Sequence, residues 1–351
     1  MSGGGHLPGR RLWARRGWGG VAAMAAACAL AVTAALLPLD DSGTDAAPAV
    51  RTPAVPVTRA GYASAQDGCA DPEASLDPLT GPTDGAAVRT IVDRERLVVG
   101  VDQNSYLWGF RDPATGRIDG FDIDIVKAVA QDILGDEDKV QYLTVPTNKR
   151  IELIENGTVD MVVRTMTINC KRLEDVAFST AYFEAGQQIL APKSSPITGY
   201  DASLKGMRVC TADDSTGDTK LTDIDKATGK SDAQRFGADV QIVPNQLDCL
   251  VRVQLGLADA VLTDNALAAG QAAQDPSMEL KGRPVTREPY GVAMNLGSPD
   301  LVRRVNQVLD GYRAGGSGSA WMKSYDHWLA DELKGISGPP EPKYKVTPTQ
   351  H

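Results

Sequence analysis

From Leu97 onward the chain alternates short apolar runs with segments of helical periodicity. LVVGV (97–101) predicts a strand, and FDIDIVKAVAQDIL (121–134) places Ile123, Val126, Ala130, Ile133 and Leu134 on one helical face. VQYLTV (140–145) predicts a second strand, NKRIELIENG a short helix ended by Asn156-Gly157, and DMVVRT a buried strand. This β-α-β-α-β order is the pattern of a parallel sheet with helices on its faces. The series then restarts. MRVCT (207–211) is a strand, DSTGDTKL begins a helix, and DVQIV (239–243) is a strand. QLDCLVRVQLG follows as an amphipathic helix, DAVLT (259–263) as a strand and NALAAGQAAQ as a helix. Two such units predict two α/β lobes. EPYGVAMN (288–295) is strand-like, and the helical segments at 300–313 and 319–333 have no strands of their own to cover, so they are expected to return to the first lobe. The return creates two crossings, near 189–193 and 287–292, and hence a hinge. The expected division is 89–191 with 290–333 for the first lobe and 192–289 for the second.

Ahead of the lobes, residues 18–39 (WGGVAAMAAACALAVTAALLPL) carry no charge and directly follow Arg10, Arg11, Arg15 and Arg16. This is an export signal. Its length is about that of a bilayer-spanning helix, roughly 20 residues, and longer than the apolar region of a cleaved signal, about 7–15. The reading is an uncleaved anchor over 1–39 with its basic end inside. Cys28, preceded by Ala25, Ala26 and Ala27, offers the alternative of a lipidated cysteine, and a buried core helix of a cytosolic protein is a third. Residues 40–88, rich in Pro, Ala, Thr and Asp without apolar periodicity, are expected to be a disordered tether. The Pro-rich end, 334–351, is expected to be disordered as well.

With 42% hydrophobic and 23% charged residues, the 351-residue chain has the composition of a folded protein, and disorder throughout is excluded. The net charge is -9; without the four leader arginines, 32 basic residues face 45 acidic ones, a balance near -13. Such a surface argues against nucleic-acid partners, which are held mainly by Lys and Arg neutralising phosphates. Four cysteines lie beyond the signal, and an even number in an exported protein suggests two disulfides with three possible connectivities. Cys210 and Cys249 fall within one strand-helix segment, which leaves Cys69 to pair with Cys170 and staple the tether's end to the folded part. Four buried free thiols are the alternative. With three His and no C-x-x-C pair, neither a structural zinc site nor any other metal or cofactor is expected.

In open α/β sheets ligands bind beyond the carboxyl ends of the strands. After Val101 comes a polar loop with Asp102 and Trp108, whose indole suits either a pocket wall or the core. After Val163 come Arg164, Thr165, Thr167 and Arg172; hydroxyls, amides and a guanidinium suit a carboxylate, although Arg172 alone could be solvated. Ser215 and Thr216 follow the strand ending at Thr211, as helix caps or as ligand contacts. Asp264 follows Thr263, as a cation acceptor or as an N-cap. Each has an ordinary structural explanation, but together they mark a cleft between lobes. Asp122 reads as the N-cap of its helix, and Asn156-Gly157-Thr158, which matches a glycosylation motif, as a turn between helix and strand.

RERLVVGVDQ, GRIDGFDIDIVKAVA, RIELIENGTVDMVVRTMTINCKR, KGMRVCTADDST, VPNQLDCLVRVQLGLADAVLTDN and REPYGVAMN span about residues 90–332. In these segments, their order and their spacing, the chain resembles the family-3 extracellular solute-binding proteins of polar amino acid ABC transporters, within them the glutamate/glutamine-binding branch found in actinobacteria. The resemblance implies an α/β type II periplasmic-binding-protein fold, with two lobes on two hinge strands closing around an amino-acid zwitterion. It implies that Thr165, Thr167 and Arg172 hold the α-carboxylate with Thr216 from the second lobe, that Asp264 binds the α-ammonium, and that Asp102 and Trp108 belong to the loop lining the pocket. Arg164 stands where many relatives carry a small residue, a place from which it could read a side-chain carboxylate. Asp213-Asp214 replaces small residues before Ser215-Thr216, which affects the backbone geometry there.

The expected function is therefore the non-enzymatic substrate-binding component of an importer for glutamate, aspartate, glutamine or asparagine. It would sit at the extracytoplasmic face of the membrane, held by the N-terminal helix or by lipid on Cys28, with permease subunits as partners. A sensor domain signalling to a membrane partner is the alternative. An enzyme on the same fold would need a positioned acid or base; no His stands on the strand-end loops, since His6, His327 and His351 lie elsewhere, which leaves Asp102 or Asp264 for carboxylate catalysis.

Overall fold

The computed structural model describes residues 69–346. The leader, Cys28, the tether up to residue 68 and residues 347–351 lie outside them. The first lobe begins with helix α1 (Ala86–Arg94) and strand β1 (Leu97–Val101). A small antiparallel flap follows, made of β2 (Asn104–Ser105), β3 (Gly109–Arg111) and β4 (Ile118–Asp119). Helix α2 (Phe121–Leu134), β5 (Val140–Thr144), the short helix α3 (Arg150–Glu155), β6 (Met161–Val162) and β7 (Val176–Phe178) come next. β8 (Phe183–Ala185) leads into the second lobe, built from β9 (Gln187–Pro192), β10 (Arg208–Ala212), α4 (Thr216–Thr222), α5 (Asp232–Phe236) and β11 (Asp239–Val243). It is completed by α6 (Gln246–Gln254), β12 (Ala260–Asp264), α7 (Asn265–Gln274) and β13 (Met278–Lys281). β14 (Glu288–Tyr290) returns to the first lobe, where β15 (Ala293–Asn295), α8 (Pro299–Arg313) and α9 (Ala320–Trp328) finish it.

The two main sheets have the orders β5-β1-β6-β15-β7 and β11-β10-β12-β9-β13. In each, four strands run in one direction and one, β15 or β9, runs against its two neighbours. All five residues of β1 and of β12 are buried, as expected of strands covered by helices on both faces, which is why they read as unbroken apolar runs. Val302, Val305 and Leu309 of α8 and Trp321 and Tyr325 of α9 pack into the core built around β1 and α2, so the C-terminal helices return as the sequence implied. Both expected disulfides, Cys69–Cys170 and Cys210–Cys249, are present.

The hinge is the antiparallel pair of β8 with β14. Its first crossing lies at Phe183–Ala185, upstream of the expected 189–193, because β9 is a member of the second sheet and pairs with both β12 and β13. Asp122 is not an N-cap either. Gly120 holds that position with φ 131°, and a Cβ there would meet the Trp108 carbonyl oxygen at 2.3 Å; Asp122 lies in the first turn with its side chain turned inward.

The expected tether and tail also need correction where they are described. Residues 69–88 and 334–346 are not loose. Ser75 exchanges backbone hydrogen bonds with Lys343 and Lys345 (2.9 and 2.8 Å), and its hydroxyl donates to the Phe178 carbonyl at 2.6 Å. The buried Asn306 of α8 donates from Nδ2 to Ser75 Oγ and to the Leu76 carbonyl at 2.8 and 2.7 Å. Glu73 forms ion pairs with Arg287, beside the hinge, and with Lys343. The two segments thus clasp each other and the first lobe through partners that are remote in sequence, and polar composition alone cannot reveal such pairing.

Cys210 and Cys249 are both buried and close a 39-residue separation through the core of the second lobe. Chain-entropy arithmetic gives about 4 kcal/mol for a loop of that length. Replacing both by Ala is expected to lower stability by roughly 2–4 kcal/mol, read as a lower urea midpoint with little change in slope.

Candidate functional site

Between the lobes lies a small polar cavity, with room for little more than a water molecule while the lobes are closed. The first lobe contributes Arg150, Thr165, Thr167 and Arg172 to its wall; the second contributes Gln187, Ser215, Thr216, Gln246, Thr263 and Asp264. Apart from two guanidiniums and one carboxylate, every lining side chain is a neutral hydrogen-bonding group. The site accordingly suits a small, strongly polar ligand whose charges are fixed by direct contact.

Arg172 is buried, and its backbone N–H is held by Asn169 Oδ1 at 2.9 Å. Its Nη1 donates to the Thr167 carbonyl at 2.9 Å and its Nη2 to the Asp214 carbonyl at 3.0 Å. Arg150, at the start of α3, donates from Nε to the Thr147 carbonyl at 2.8 Å and from Nη2 to the same Asp214 carbonyl at 3.2 Å. Both guanidiniums therefore cross to the second lobe. Asn148 Nδ2 reaches Asp213 Oδ2 at 2.7 Å, and Thr147 Oγ1 reaches Gln246 Oε1 at 3.3 Å. The lobes are closed. Burial lowers the pKa of Arg172, and burial together with the neighbouring Arg172 and Arg164 guanidiniums lowers that of Arg150 well below its ordinary value.

Asp264 ends β12 and faces the guanidiniums from the second lobe. It occupies the N-cap position of α7 without capping it. Its Oδ2 accepts from Tyr290 Oη at 2.6 Å and its Oδ1 from Gln187 Nε2. Burial, followed by the charge of Glu288, pushes its pKa up to about 7. Thr216 Oγ1 also accepts from Gln187 Nε2, at 3.0 Å, while Ser215 caps α4 by accepting from the Asp218 N–H.

Of the residues expected from sequence, the structure brings Thr165, Thr167, Arg172, Thr216 and Asp264 to the cavity and leaves Asp102, Trp108 and Arg164 off its wall. Asp102 organises its own loop, accepting from the Gln103 and Asn104 N–H groups and from Ser105 Oγ, and stands 3.0 Å from Arg164 Nη2. Arg164 is buried against it, with Nη1 donating to Thr147 Oγ1 at 3.1 Å. Trp108 is fully buried, donating from Nε1 to the Ala266 carbonyl of α7 and packing edge-on against Phe121, Phe183 and Tyr290. Asp122 supports the site from below: its carboxylate accepts from the Thr165 N–H at 3.0 Å and from Tyr182 Oη at 2.8 Å, and burial pushes its pKa up to about 7.

Sequence reasoning missed Arg150, Gln187, Gln246 and Thr263. Arg150 and Gln246 lie just beyond β5 and β11, so the strand-end rule applied to every parallel strand would have found them. Gln187 opens β9 directly after the hinge, and only the antiparallel pairing that sets it opposite Asp264 brings it to the cavity. Among the described residues no group of three or more His, Cys, Asp or Glu is placed to hold a metal ion.

Residues 97–330 match the model of the bacterial extracellular solute-binding proteins, family 3. The ABC transporter glutamine-binding protein GlnH of Bacillus subtilis is 36% identical over 242 residues, covering 69% of this chain and 84% of that protein. The solved solute receptor for L-cysteine of Neisseria gonorrhoeae superposes with a TM-score of 0.65 at 25% identity, over 73% of this chain and all of that one. The ancestral amino acid-binding protein AncCDT-1, a precursor of cyclohexadienyl dehydratase, superposes with a TM-score of 0.59 at 28% identity, over 70% of this chain and all of its own. These solved relatives and the two observed sheets give the chain the type II periplasmic-binding-protein fold.

Asp122 and Asp264 titrate near 7 in the folded chain and near 4 when unfolded. Between those values the ligand-free folded state keeps protons that the unfolded chain has released, so this contribution to stability is fully present below about pH 4 and is lost as the pH rises through 7. The melting temperature of the ligand-free protein is expected to fall from pH 5 to pH 8, and the fall to be shallower in Asp264→Asn. A melting temperature that rises over this range in both proteins would contradict the assignment.

Proposed function

We propose that this chain, which belongs to the family-3 bacterial extracellular solute-binding proteins, captures an acidic amino acid, glutamate or aspartate, by closing its two lobes around it. The observation that carries this reading is the pair of buried guanidiniums on the cavity wall, Arg150 and Arg172, whose hydrogen bonds go to carbonyl oxygens, opposite the single carboxylate of Asp264. An acidic amino acid has two carboxylates and one ammonium, the complementary set. In this arrangement the α-carboxylate meets Arg172 with the hydroxyls of Thr167 and Thr216, the ammonium meets Asp264 beside Thr165, and the side-chain carboxylate meets Arg150. Arg164, which the sequence suggested for that last role, is already matched by Asp102. Glutamine is the second reading, favoured by the name of the Bacillus subtilis relative.

Asp264 suits holding a cation better than moving a proton, because Gln187 and Tyr290 already engage its two oxygens. This favours binding over dehydratase chemistry. We place the protein at the extracytoplasmic face of the membrane, held by its N-terminal helix or by lipid on Cys28, and delivering ligand to the permease of an ABC importer. A membrane-bound signalling protein is the alternative partner, and co-purification from membranes separates the two.

A ligand bound only by the folded state adds RT ln(1 + [L]/Kd), about 2.7 kcal/mol at a hundredfold excess over Kd. Glutamate and aspartate are expected to raise the melting temperature most. Truncating one partner of a buried charge pair costs about 2–5 kcal/mol, so Arg172→Ala should weaken every ligand roughly a hundredfold or more. Arg150→Met should weaken glutamate and aspartate at least tenfold more than glutamine and asparagine. Equal losses for all four would favour the glutamine reading, and no shift with any amino acid would overturn both.

A further inference from the structure

We propose that Gln187 determines specificity for the ligand's ammonium group, by holding Asp264 and Thr216 in one frame and offering its own amide oxygen as a further acceptor; this rests on the amino-acid reading above. Gln187 is the first residue of β9 and pairs in antiparallel register with Asp264 on β12. Its main chain is fixed on both sides, the N–H donating to Thr286 Oγ1 at 2.9 Å and the carbonyl accepting from the Val285 N–H at 2.8 Å. The side chain is 2% exposed and lies on the cavity wall. Its Nε2 donates to Asp264 Oδ1 and to Thr216 Oγ1. A carboxylate only accepts, so the amide must present nitrogen to Asp264 and turn its oxygen away.

That oxygen, Oε1, is buried and has no hydrogen-bond partner among the described residues. Gly217 gives it room: a Cβ there would stand 2.9 Å from it. A buried acceptor left unsatisfied is costly, and an ammonium, with three donors and no acceptor, is the ligand group able to use it. Each oxygen of Asp264 has one protein donor, from Gln187 and from Tyr290, and keeps lone-pair capacity for a cation. A ligand carboxylate approaching Oε1 would be repelled. The residue therefore favours a ligand with an α-ammonium over one that has only the carboxylates.

The test compares wild type with Gln187→Leu and Gln187→Met as full chains, using L-glutamate and glutarate, which keeps both carboxylates and lacks the ammonium. Calorimetry, with displacement for the weaker ligand, is expected to show at least tenfold weaker glutamate binding in both variants and a severalfold smaller loss for glutarate. Glutarate binding also reports that the variants are folded. A second readout is the pH dependence of glutamate binding between pH 5 and 8. Wild-type affinity should rise with pH as Asp264 ionises, in surroundings that also contain Glu288, Tyr290, Arg150 and Arg172. Loss of a donor to the carboxylate should move the midpoint to higher pH. Equal losses for both ligands, unchanged glutamate binding or an unmoved midpoint would overturn the role of Gln187. A wild-type protein that binds glutarate as well as glutamate would overturn it too. If the wild type binds no amino acid, it is the functional reading that has failed.

Discussion

Arg150 and Arg172 leave the first lobe at different points, yet each extends an Nη2 to the same carbonyl oxygen, that of Asp214 in the second lobe. A carbonyl carries only a partial charge, so two cations converging on one out of water leave positive potential in excess, and the low dielectric magnifies it. Arg164 is a third guanidinium in the same neighbourhood, but its charge is met by Asp102. The lobes are thus joined by two cations that share one neutral acceptor. An anion entering between them supplies the missing charge. Asp214 presents its carbonyl from φ 56°, a region that costs a non-glycine residue on the order of 1 kcal/mol. The second lobe therefore carries a local strain to put an acceptor where both arginines reach it.

The closed arrangement has a second set of contacts behind the cavity. Trp108 packs edge-on against Phe183 of β8 and Tyr290 of β14, the two hinge strands, and its indole N–H reaches α7 of the second lobe. The same Tyr290 donates to Asp264. Movement of the hinge and placement of the carboxylate are therefore linked through one phenol, whose ring is fixed by the tryptophan and whose hydroxyl is fixed by the site. Trp108 serves the site through the hinge and not as a wall. On the other side of the hinge, Arg287 joins Glu73 of the N-terminal clasp to Glu184 of β8. Residues 69–76 and 343–345, which supply this bracing, lie outside the segment matching the family model.

How much of this was legible in the sequence depended on how local the cause was. The two-lobed α/β order followed from periodicity, and Thr165, Thr167, Arg172, Thr216 and Asp264 from their places beyond strand ends. Arg164 could not be separated from Arg172 in that way, because its partner Asp102 lies 62 positions earlier and only the folded sheet brings them to 3.0 Å. Trp108 was ambiguous for a related reason: an indole in a loop can line a pocket or fill a core, and the Ala266 carbonyl that decides the matter is 158 positions away. Arg150 was absorbed into a helix pattern whose first residue happens to face the cavity. The clasp escaped notice because its polar residues are matched one by one with distant partners, whereas composition averages over them.

The segment from Arg164 to Arg172 shows why strand-end residues are both readable and demanding. Thr165 holds φ 42°, which turns the chain so that Arg164 points beneath the cavity while Thr165, Thr167 and Arg172 line it. Such a conformation persists only if neighbours over-determine it. Asp122 provides that support, accepting the Thr165 N–H with a carboxylate that sits in the first turn of α2, where the helix dipole favours negative charge. The disulfide from Cys170 to Cys69 fixes the far end of the segment two residues before Arg172. A buried aspartate on one side and a covalent link on the other hold a backbone that would otherwise relax. The arginine that meets the ligand's carboxylate in the proposed function is positioned by both, although neither of them touches the cavity.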